Sequence, residues 1–255
     1  MYYNIPIFDR LLMDGRYHLG DCFVMSGIVN HYADHCRELH LAVGKGYEKT
    51  LGSLYKEHPN IRIFIAGEGY GEAEYAEEHK LSRILANDIL KTEFVNNTWV
   101  PVYWPMHVYD CYDLPFSTRY RNFRVPTYIE GADELYDRLS NGEPYILVHR
   151  RPFMGYPDGY PINIFGFRHS QVLPEYRIIE VRPEITEDMM QYVKLIKHAK
   201  EIHCVDSSFY QLVDGMVKHT QADLYFHKIR AFSMLRVNCK WNDYRWRIVE
   251  YGERM

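Results

Sequence analysis

A repeated alternation of short apolar strands and helical stretches constrains this chain more than any other feature of its sequence. In the first half, strands predicted at Glu38–Val43 and Ile61–Ile65 are followed by helices predicted over 47–57 and 72–90. Such alternation is typical of βαβ units, in which helices join parallel strands. The segment 96–126, rich in proline and aromatic residues, breaks the rhythm and is predicted to be a long loop or a few irregular helical turns.

The pattern restarts in the second half, after a helix predicted over 130–139 that ends at Asn141-Gly142. Four strands are predicted there: Tyr145–His149, Arg177–Val181, Ile202–Val205 and Leu224–Phe226. Helices predicted over 186–199 and 209–217 lie between them, and the tail from 237 to 251 is expected to pack back on the body. The fold class predicted is therefore α/β, with two Rossmann-like βαβ domains at 1–140 and 141–255.

Composition narrows the classes of protein that fit. The chain has 255 residues, 47% of them hydrophobic and 25% charged, as is ordinary for a soluble globular protein. A net charge of -4 argues against a protein that coats duplex nucleic acid. Arg119, Arg121 and Arg124 nevertheless form a local basic cluster in the sequence.

The sequence also bears on cellular location. Its five cysteines show no CxxC spacing, which is simplest for a reduced, cytoplasmic protein. The N-terminus lacks the pattern of a signal peptide, and no apolar run reaches the ~20 residues of a membrane span. We therefore expect a cytoplasmic protein with no membrane span.

One candidate site is the stretch Tyr17-His18-Leu19-Gly20-Asp21, which precedes an apolar run of helical length at 22–32. A short strand is expected to end near His18, and Gly20 suits a tight or positive-φ turn. Asp21 then has two compatible interpretations. It is a helix N-cap, or it is a general base held at a strand-to-helix turn that faces a cleft.

A second candidate is Asp206-Ser207-Ser208, where a strand that looks buried meets the start of a helix. A helix N-terminus attracts anions, and two hydroxyls add donors for phosphate oxygens. Ligands of open α/β sheets favour this end of the strands. The sequence thus predicts phosphate or diphosphate binding, with a plain serine N-cap as the alternative.

A third candidate, His149-Arg150-Arg151, also follows a strand. Guanidinium groups suit a diphosphate because they offer a planar fork of donors. The alternative is a solvated pair of arginines. If the strand continues, Arg150 and Arg151 cannot both point the same way.

Other motifs are weaker. The glycines at 67–71 match neither a dinucleotide fingerprint nor a Walker sequence and are interpreted as a turn. His31 and His35 have helical spacing for zinc but no obvious third ligand, so we interpret them as solvated or core histidines. The Asp-x-Asp pair with which metal-dependent nucleotide-sugar enzymes hold a divalent ion is missing, and we predict no metal site.

Three of these segments together resemble a known family. Leu19-Gly20-Asp21 before an apolar helix, a central strand that ends at His149, and Cys204–Ser208 before a helix occur in the order seen in GT-B glycosyltransferases of the heptosyltransferase type, and in similar viral and bacterial proteins. The resemblance implies two Rossmann-like domains that face each other across a cleft. The first, 1–140, would contact the acceptor and the second, 141–255, would bind a nucleotide-sugar.

The resemblance also implies roles for particular residues. Asp21 corresponds to the family's base, and Asp206 with Ser207 to the turn that lies against the donor. Ser208 stands where the family usually has glycine, and Ser26-Gly27 replaces the proline usual after Gly-Asp. We assign the remaining candidates in two groups: His149, Arg150, Arg151 and Ser208 to the donor, and His18, Gly20 and Arg119 to the acceptor side.

The function expected on these grounds is metal-independent, inverting transfer of a sugar from a nucleotide-sugar donor to an acceptor hydroxyl. No cofactor is needed beyond the donor itself. The acceptor is open: a glycan, a small molecule or a modified nucleobase in DNA. A viral member would act in the host cytoplasm. The alternatives are a non-catalytic protein that binds or sequesters a nucleotide, and a structural protein in which the three turns are only helix caps.

Overall fold

A computed structural model describes most of the chain, and its contacts divide it into two compact units, 1–126 and 127–255. The residues it describes are 8–15, 18–66, 71–84, 92–95, 98–101, 104–151, 162, 176–229 and 245–251. The predicted glycine turn at 67–70 lies outside these residues. The division falls before the boundary expected after residue 140, because a helix at Ala132–Ser140 belongs to the second unit. There, the carboxylate of Asp133 on that helix forms an ion pair of 2.6 Å with the amine of Lys194.

The first unit is built on a sheet of parallel strands. Its strands are β1 (Arg10–Gly15), β2 (Glu38–Val43), β3 (Ile61–Ile65) and β4 (Ser82–Ile84). Its first helices are α1 (Leu19–Ala33), α2 (Glu48–Tyr55) and α3 (Glu72–Glu78). The strand order is β3-β2-β1-β4, with every neighbouring pair parallel. The predicted strands at 38–43 and 61–65 are confirmed with the bounds predicted.

The predicted helix over 72–90 is wrong over 79–84, and residues 85–90 lie outside the described residues. After Glu78 the chain turns through Lys80, whose φ of 53° ends the helix, and then forms β4. Strand β4 pairs with Leu11–Met13 on the side of β1 that β2 leaves open. Pairing with β1 thus outweighs the helical preference of this stretch, as tertiary contacts often do.

The segment 96–126 is more regular than predicted. It contributes to an antiparallel hairpin of β5 (Thr92–Val95) with β6 (Thr98–Pro101). Helices α4 (Trp104–Cys111) and α5 (Thr118–Arg121) follow. Both helices pack on α1, which explains why every residue from 22 to 30 of α1 is buried. A helix that is enclosed in this way needs no polar face.

Helix α1 approaches this segment closely at Gly27. A Cβ placed there would lie 2.7 Å from the carbonyl oxygen of Thr118 and 2.8 Å from the Cα of Arg119. Both neighbours are backbone atoms and cannot rotate away. Gly27 therefore allows α1 to lie directly against α5, a contact that the Ser26-Gly27 sequence by itself does not reveal.

Substitution of Gly27 by alanine is expected to destabilise the protein by about 1–3 kcal/mol, the usual cost of overpacking. The matched control is Gly52→Ala in α2, where no atom lies within 4 Å of an added Cβ. There, alanine should stabilise by about 0.5–1 kcal/mol, because glycine is the poorer helix former. Urea unfolding of the two variants measures both effects, and equal effects would contradict the packing described for Gly27.

The second unit has a five-stranded parallel sheet. Its elements are α6 (Ala132–Ser140), β7 (Tyr145–His149), β8 (Arg177–Glu180), a 3-10 helix (Met189–Tyr192), α7 (Val193–His198), β9 (Glu201–Cys204), α8 (Ser208–Gly215), β10 (Asp223–Lys228) and β11 (Trp246–Glu250). The strand order is β11-β10-β9-β7-β8. The predicted βαβ pattern is confirmed, and the left-handed residues Asn141 and Gly142 end α6 as expected.

The end of the tail is a strand, which the sequence did not predict. Strand β11 runs parallel to β10, and Trp246 opens it. The indole Nε1–H of Trp246 donates a hydrogen bond of 3.0 Å to the fully buried carboxylate of Asp214 in α8. This bond ties the last strand to the helix that follows β9.

A buried chain of hydrogen bonds crosses this sheet. Nδ1 of His203 lies 2.9 Å from Nε2 of His227, Nε2 of His203 lies 3.2 Å from a carboxylate oxygen of Glu201, and Nδ1 of His227 lies 2.6 Å from the Tyr251 hydroxyl. An ionised carboxylate only accepts hydrogen bonds, so His203 donates to Glu201 from Nε2. Burial lowers the pKa of His227 to about 3, so this ring is neutral and has one donor nitrogen and one acceptor nitrogen. With the proton on Nε2, His227 donates to His203, and Tyr251 donates to His227.

Candidate functional site

The first candidate region lies where β1 passes into α1. Strands β2 and β4 flank β1, and in open sheets ligands bind beyond the carboxyl ends of the strands at the point where the strand order reverses. Helix α1 begins at this point with Leu19. The region thus has the position in the sheet that the candidate site of Asp21 requires.

The residues of this turn do not have the positions that the N-cap interpretation of Asp21 predicts. His18, not Asp21, is the N-cap, and its carbonyl accepts bonds from the N–H groups of Asp21 (2.8 Å) and Cys22 (3.1 Å). Gly20 lies inside the first helical turn and does not take a positive φ. Asp21 is the third residue of α1 and is half-buried. Its carboxylate therefore lies in the first turn, where the helix dipole stabilises negative charge.

Tyr47 lies beside this turn, after the end of β2, and sequence reasoning missed it. Burial raises the pKa of the Tyr47 phenol, Cys22 and, to a smaller extent, Asp21 raise it further, and a hydrogen bond from the Leu19 N–H opposes them. Tyr47 and Asp21 are thus close enough to interact. The Gly44–Gly46 turn that precedes Tyr47 was the available signal, because it follows the strand next to β1.

In the second unit, the candidates after β7 and β9 come together at one edge of the sheet. These two strands are neighbours although β8 lies between them in sequence, so the strand order reverses between them. The register pairs His149 at the end of β7 with Cys204 at the end of β9. The segments 149–151 and 206–208 therefore start side by side at the position where open α/β sheets bind ligands.

His149 is the most buried of these candidates, with only 8% of its surface exposed. Its ring stacks on Phe209 in the first turn of α8, with centroids 5.3 Å apart. Its Nδ1 is buried and has no hydrogen-bond partner within the described part of the chain. Burial lowers the pKa of His149 to about 4, so the ring is neutral near pH 7. Phe209 was another residue that sequence reasoning missed.

The serines have separate roles at the start of α8. Ser207 is the N-cap, and its Oγ accepts a bond of 3.2 Å from the N–H of Tyr210 and donates one of 3.0 Å to the carbonyl of Val205. Ser208 is the first helical residue and is half-buried. The N–H groups of Ser208 and Phe209 have no acceptor within the helix. They and the Ser208 hydroxyl are the donors that an anion would meet.

The two arginines lie beyond the end of β7 and have different carboxylate partners. Nε of Arg150 lies 2.8 Å from an oxygen of Glu180, and Nη1 of Arg151 lies 2.8 Å from an oxygen of Glu184. Burial raises the pKa of Glu180, but hydrogen bonds from Arg150 and Arg182 outweigh it and hold that pKa below its ordinary value. Each arginine therefore has a carboxylate counter-charge, which the sequence did not predict.

The structure corrects the placement of Arg119. The side chain, expected on the acceptor side, is fully buried beneath α1, and its guanidinium lies 5.6 Å from the ring of Tyr120. A fully buried side chain cannot touch an acceptor from solvent. Arg121 is exposed, and Arg124 pairs with Asp34. The basic cluster of the sequence is therefore dispersed in space.

Among the described residues, no three His, Cys, Asp or Glu side chains are grouped to hold a metal ion. His31 and His35 have rings 4.8 Å apart, and Nδ1 of His35 lies 2.7 Å from the carbonyl oxygen of His31. No helix within the described ranges is both long and apolar enough to cross a membrane.

These observations define a class of fold: a mixed α/β chain with two parallel sheets, each with a candidate site where its strand order reverses. No protein-family model and no curated protein matches the sequence. Two solved structures are similar to it over most of their length. They are the ADP-heptose lps heptosyltransferase II of E. coli and a family 9 glycosyl transferase from Veillonella parvula DSM 2008.

The likeness is one of fold. The E. coli structure is 10% identical, with a TM-score of 0.50, and the match covers 94% of this chain and 90% of that one. The Veillonella structure is 12% identical, with a TM-score of 0.51, and the match covers 95% and 86%. The GT-B-like α/β fold predicted from the sequence is thus confirmed by its structural neighbours.

Proposed function

We propose that this protein is a glycosyltransferase that takes a sugar from a nucleotide-sugar donor without a metal ion and with inversion. The observation that supports it best is the pairing, at one edge of the second sheet, of the α8 N-terminus with the buried imidazole of His149. Free N–H groups of a first helical turn favour a diphosphate, because they combine hydrogen bonds with the positive end of the dipole. The fold shared with two glycosyltransferases adds to this support.

In the proposed reaction, the acceptor hydroxyl attacks the anomeric carbon of the sugar. Asp21 accepts the hydroxyl proton, and the bond from that carbon to the diphosphate oxygen breaks with its electron pair staying on the diphosphate. Ser208 and the first-turn N–H groups of α8 stabilise the charge that develops there. The sequence has no Asp-x-Asp pair to hold a divalent ion, which supports a metal-independent reaction.

The acceptor is proposed only as a class, a glycan or a small molecule that carries a hydroxyl. A modified nucleobase was a third possibility because of the arginines at 119–124. Since Arg119 is buried and Arg124 is paired with Asp34, these arginines give no reason to favour a nucleic acid. His18 and Asp21 at the start of α1 remain the proposed acceptor contacts.

Substitution of Ser208 by aspartate is expected to abolish nucleotide binding without unfolding the protein. An acidic residue in the first helical turn suits the helix dipole, whereas its charge repels a diphosphate. A nucleoside diphosphate at ~100 times its Kd should stabilise the natural protein by about 2.7 kcal/mol, which raises Tm by several degrees. Thermal-shift screening of UDP, GDP, ADP, CMP and dTDP, each with and without EDTA, measures this.

The expected outcome is one nucleotide family that raises Tm of the natural protein but not of Ser208→Asp. Ser208→Ala is the milder companion, because it removes one donor and adds no charge, so a smaller shift should remain. An equal shift in the natural protein and in Ser208→Asp would place the nucleotide elsewhere and contradict the proposed site.

A further inference from the structure

Among the described residues, the cations of the donor site form an ion-pair network. Departure of a nucleoside diphosphate leaves negative charge on its oxygens, and enzymes stabilise such charge with cations or oriented donors. Arg150 and Arg151 follow the end of β7, and each of them lies on a carboxylate, Glu180 or Glu184. Glu180 also pairs with Arg182, at 2.5 Å, so the three arginines exceed the two carboxylates by one positive charge. The arginines are thus held by these carboxylates, whereas the first-turn donors of α8 point to no acceptor within their helix.

His149 is the one imidazole among the described residues of the donor site, and burial holds it neutral near pH 7 unless a bound anion raises its pKa. Its Nδ1 is buried and has no hydrogen-bond partner among the residues that the structure describes, which is costly unless a bound group supplies one. Its ring lies against Phe209, whose N–H is one of the free donors of α8. The imidazole therefore packs against the first turn of α8, the turn whose N–H groups would hold the anion.

We propose that His149 is neutral in the free protein, takes up one proton from solvent when a diphosphate binds at the α8 N-terminus, and stabilises the leaving diphosphate as an imidazolium. This inference rests on the proposed function, since it assigns a role within the same donor site. The proton arrives with the donor and returns to solvent when the nucleoside diphosphate leaves. The transfer itself remains balanced, because Asp21 takes the only proton that the acceptor gives up.

The charges around His149 agree with this role. Burial is the main reason for its low pKa; Glu180 on β8 raises that pKa, and Arg151 after β7 lowers it. Helix α8 presents the apolar ring of Phe209 to it, and the carboxylate of Asp206 precedes this helix. Because the free ring is held neutral mainly by lack of solvation, a bound anion would favour its protonated form.

The test uses sulfate, a dianion that does not titrate over the range required. In the full-length, isotopically labelled protein, NMR follows the His149 ring and the amides of Ser208 and Phe209 against pH. Without sulfate, His149 should remain neutral down to about pH 5. With saturating sulfate, its midpoint should rise by about 2.5 pH units, to about 6.5, because ligand and proton binding are reciprocally linked.

A second readout is sulfate affinity. If sulfate and proton binding are linked through His149, sulfate should bind about tenfold more tightly at about pH 5.5 than at about pH 7.5. The His149→Gln variant should show no such gain. If that variant does not fold, the midpoint shift in the natural protein still decides the matter. Amide shifts at Ser208 and Phe209 with an unmoved His149 midpoint would overturn this inference and leave the donor site intact. If neither sulfate nor any nucleoside diphosphate moves these amides, the proposed function itself is overturned.

Discussion

Replacement of Asp21 by asparagine is expected to slow sugar transfer by about 100-fold or more, the usual contribution of a general base. The amide is nearly the same size as the carboxylate but cannot accept the proton of the acceptor hydroxyl. Asp21 is the third residue of α1 and not its N-cap, so the helix start should survive the change. The loss of charge near the helix N-terminus should cost only about 0.3–1 kcal/mol of stability.

The control is Asp133→Asn, which makes the same chemical change in the first turn of another helix. Asp133 is exposed, pairs with Lys194 at 2.6 Å and has no part in the proposed chemistry. Its loss should leave turnover within about twofold, because an exposed ion pair contributes little to stability. A folded Asp21→Asn protein with near-normal turnover would remove Asp21 from the role of base.

Mild acid is expected to unfold the protein through two buried histidines of the second unit. Burial lowers the pKa of His149 to about 4 and that of His227 to about 3, whereas an unfolded histidine has a pKa of about 6.5. Between these values the unfolded chain binds protons that the folded one excludes, so stability falls as pH falls. At about pH 4 each histidine should have removed about 3 kcal/mol.

The combined loss is a large part of the 5–15 kcal/mol that stabilises a typical domain. Burial also lowers the pKa values of His31, His40, His58 and His219, which adds in the same direction. Urea unfolding at several values between about pH 7.5 and 4.5 should show stability that decreases steeply below about pH 6.5. Substitution of His227 by glutamine should reduce that slope, and a stability independent of pH over this range would contradict the burial of neutral imidazoles.

Much of the fold could be predicted because its strands carry strong local signals. β2, β3 and β7 are apolar runs bounded by turn residues, and their predicted bounds match the structure. β4 and β11 have weaker local signals, and they pair with β1 and β10. Their sequences do not reveal those partners, since pairing of distant strands depends on the whole sheet.

For the candidate site, too, local sequence predicts some features, and others depend on residues that are distant in the chain. The carboxyl ends of parallel strands lie at one edge, so the positions of the segments 149–151 and 206–208 could be predicted from sequence. The charge of the site could not, because Glu180 and Glu184 approach the arginines from another strand and its loop. Burial of Arg119 could not be predicted from the sequence either, because arginine is usually a surface residue. The side chain is enclosed where α5 packs on α1.

The most direct measurement of the proposed function is release of nucleoside diphosphate from a panel of nucleotide-sugars. Each nucleotide-sugar is incubated separately with the protein and with pooled glycan and small-molecule acceptors. Chromatography then measures the nucleoside diphosphate released. We expect release from donors of one nucleotide family, unaffected by EDTA and about 100-fold slower with Asp21→Asn. Release no faster than in buffer for every donor, from a protein that still binds the free nucleotide, would contradict transfer and identify a non-catalytic nucleotide-binding protein.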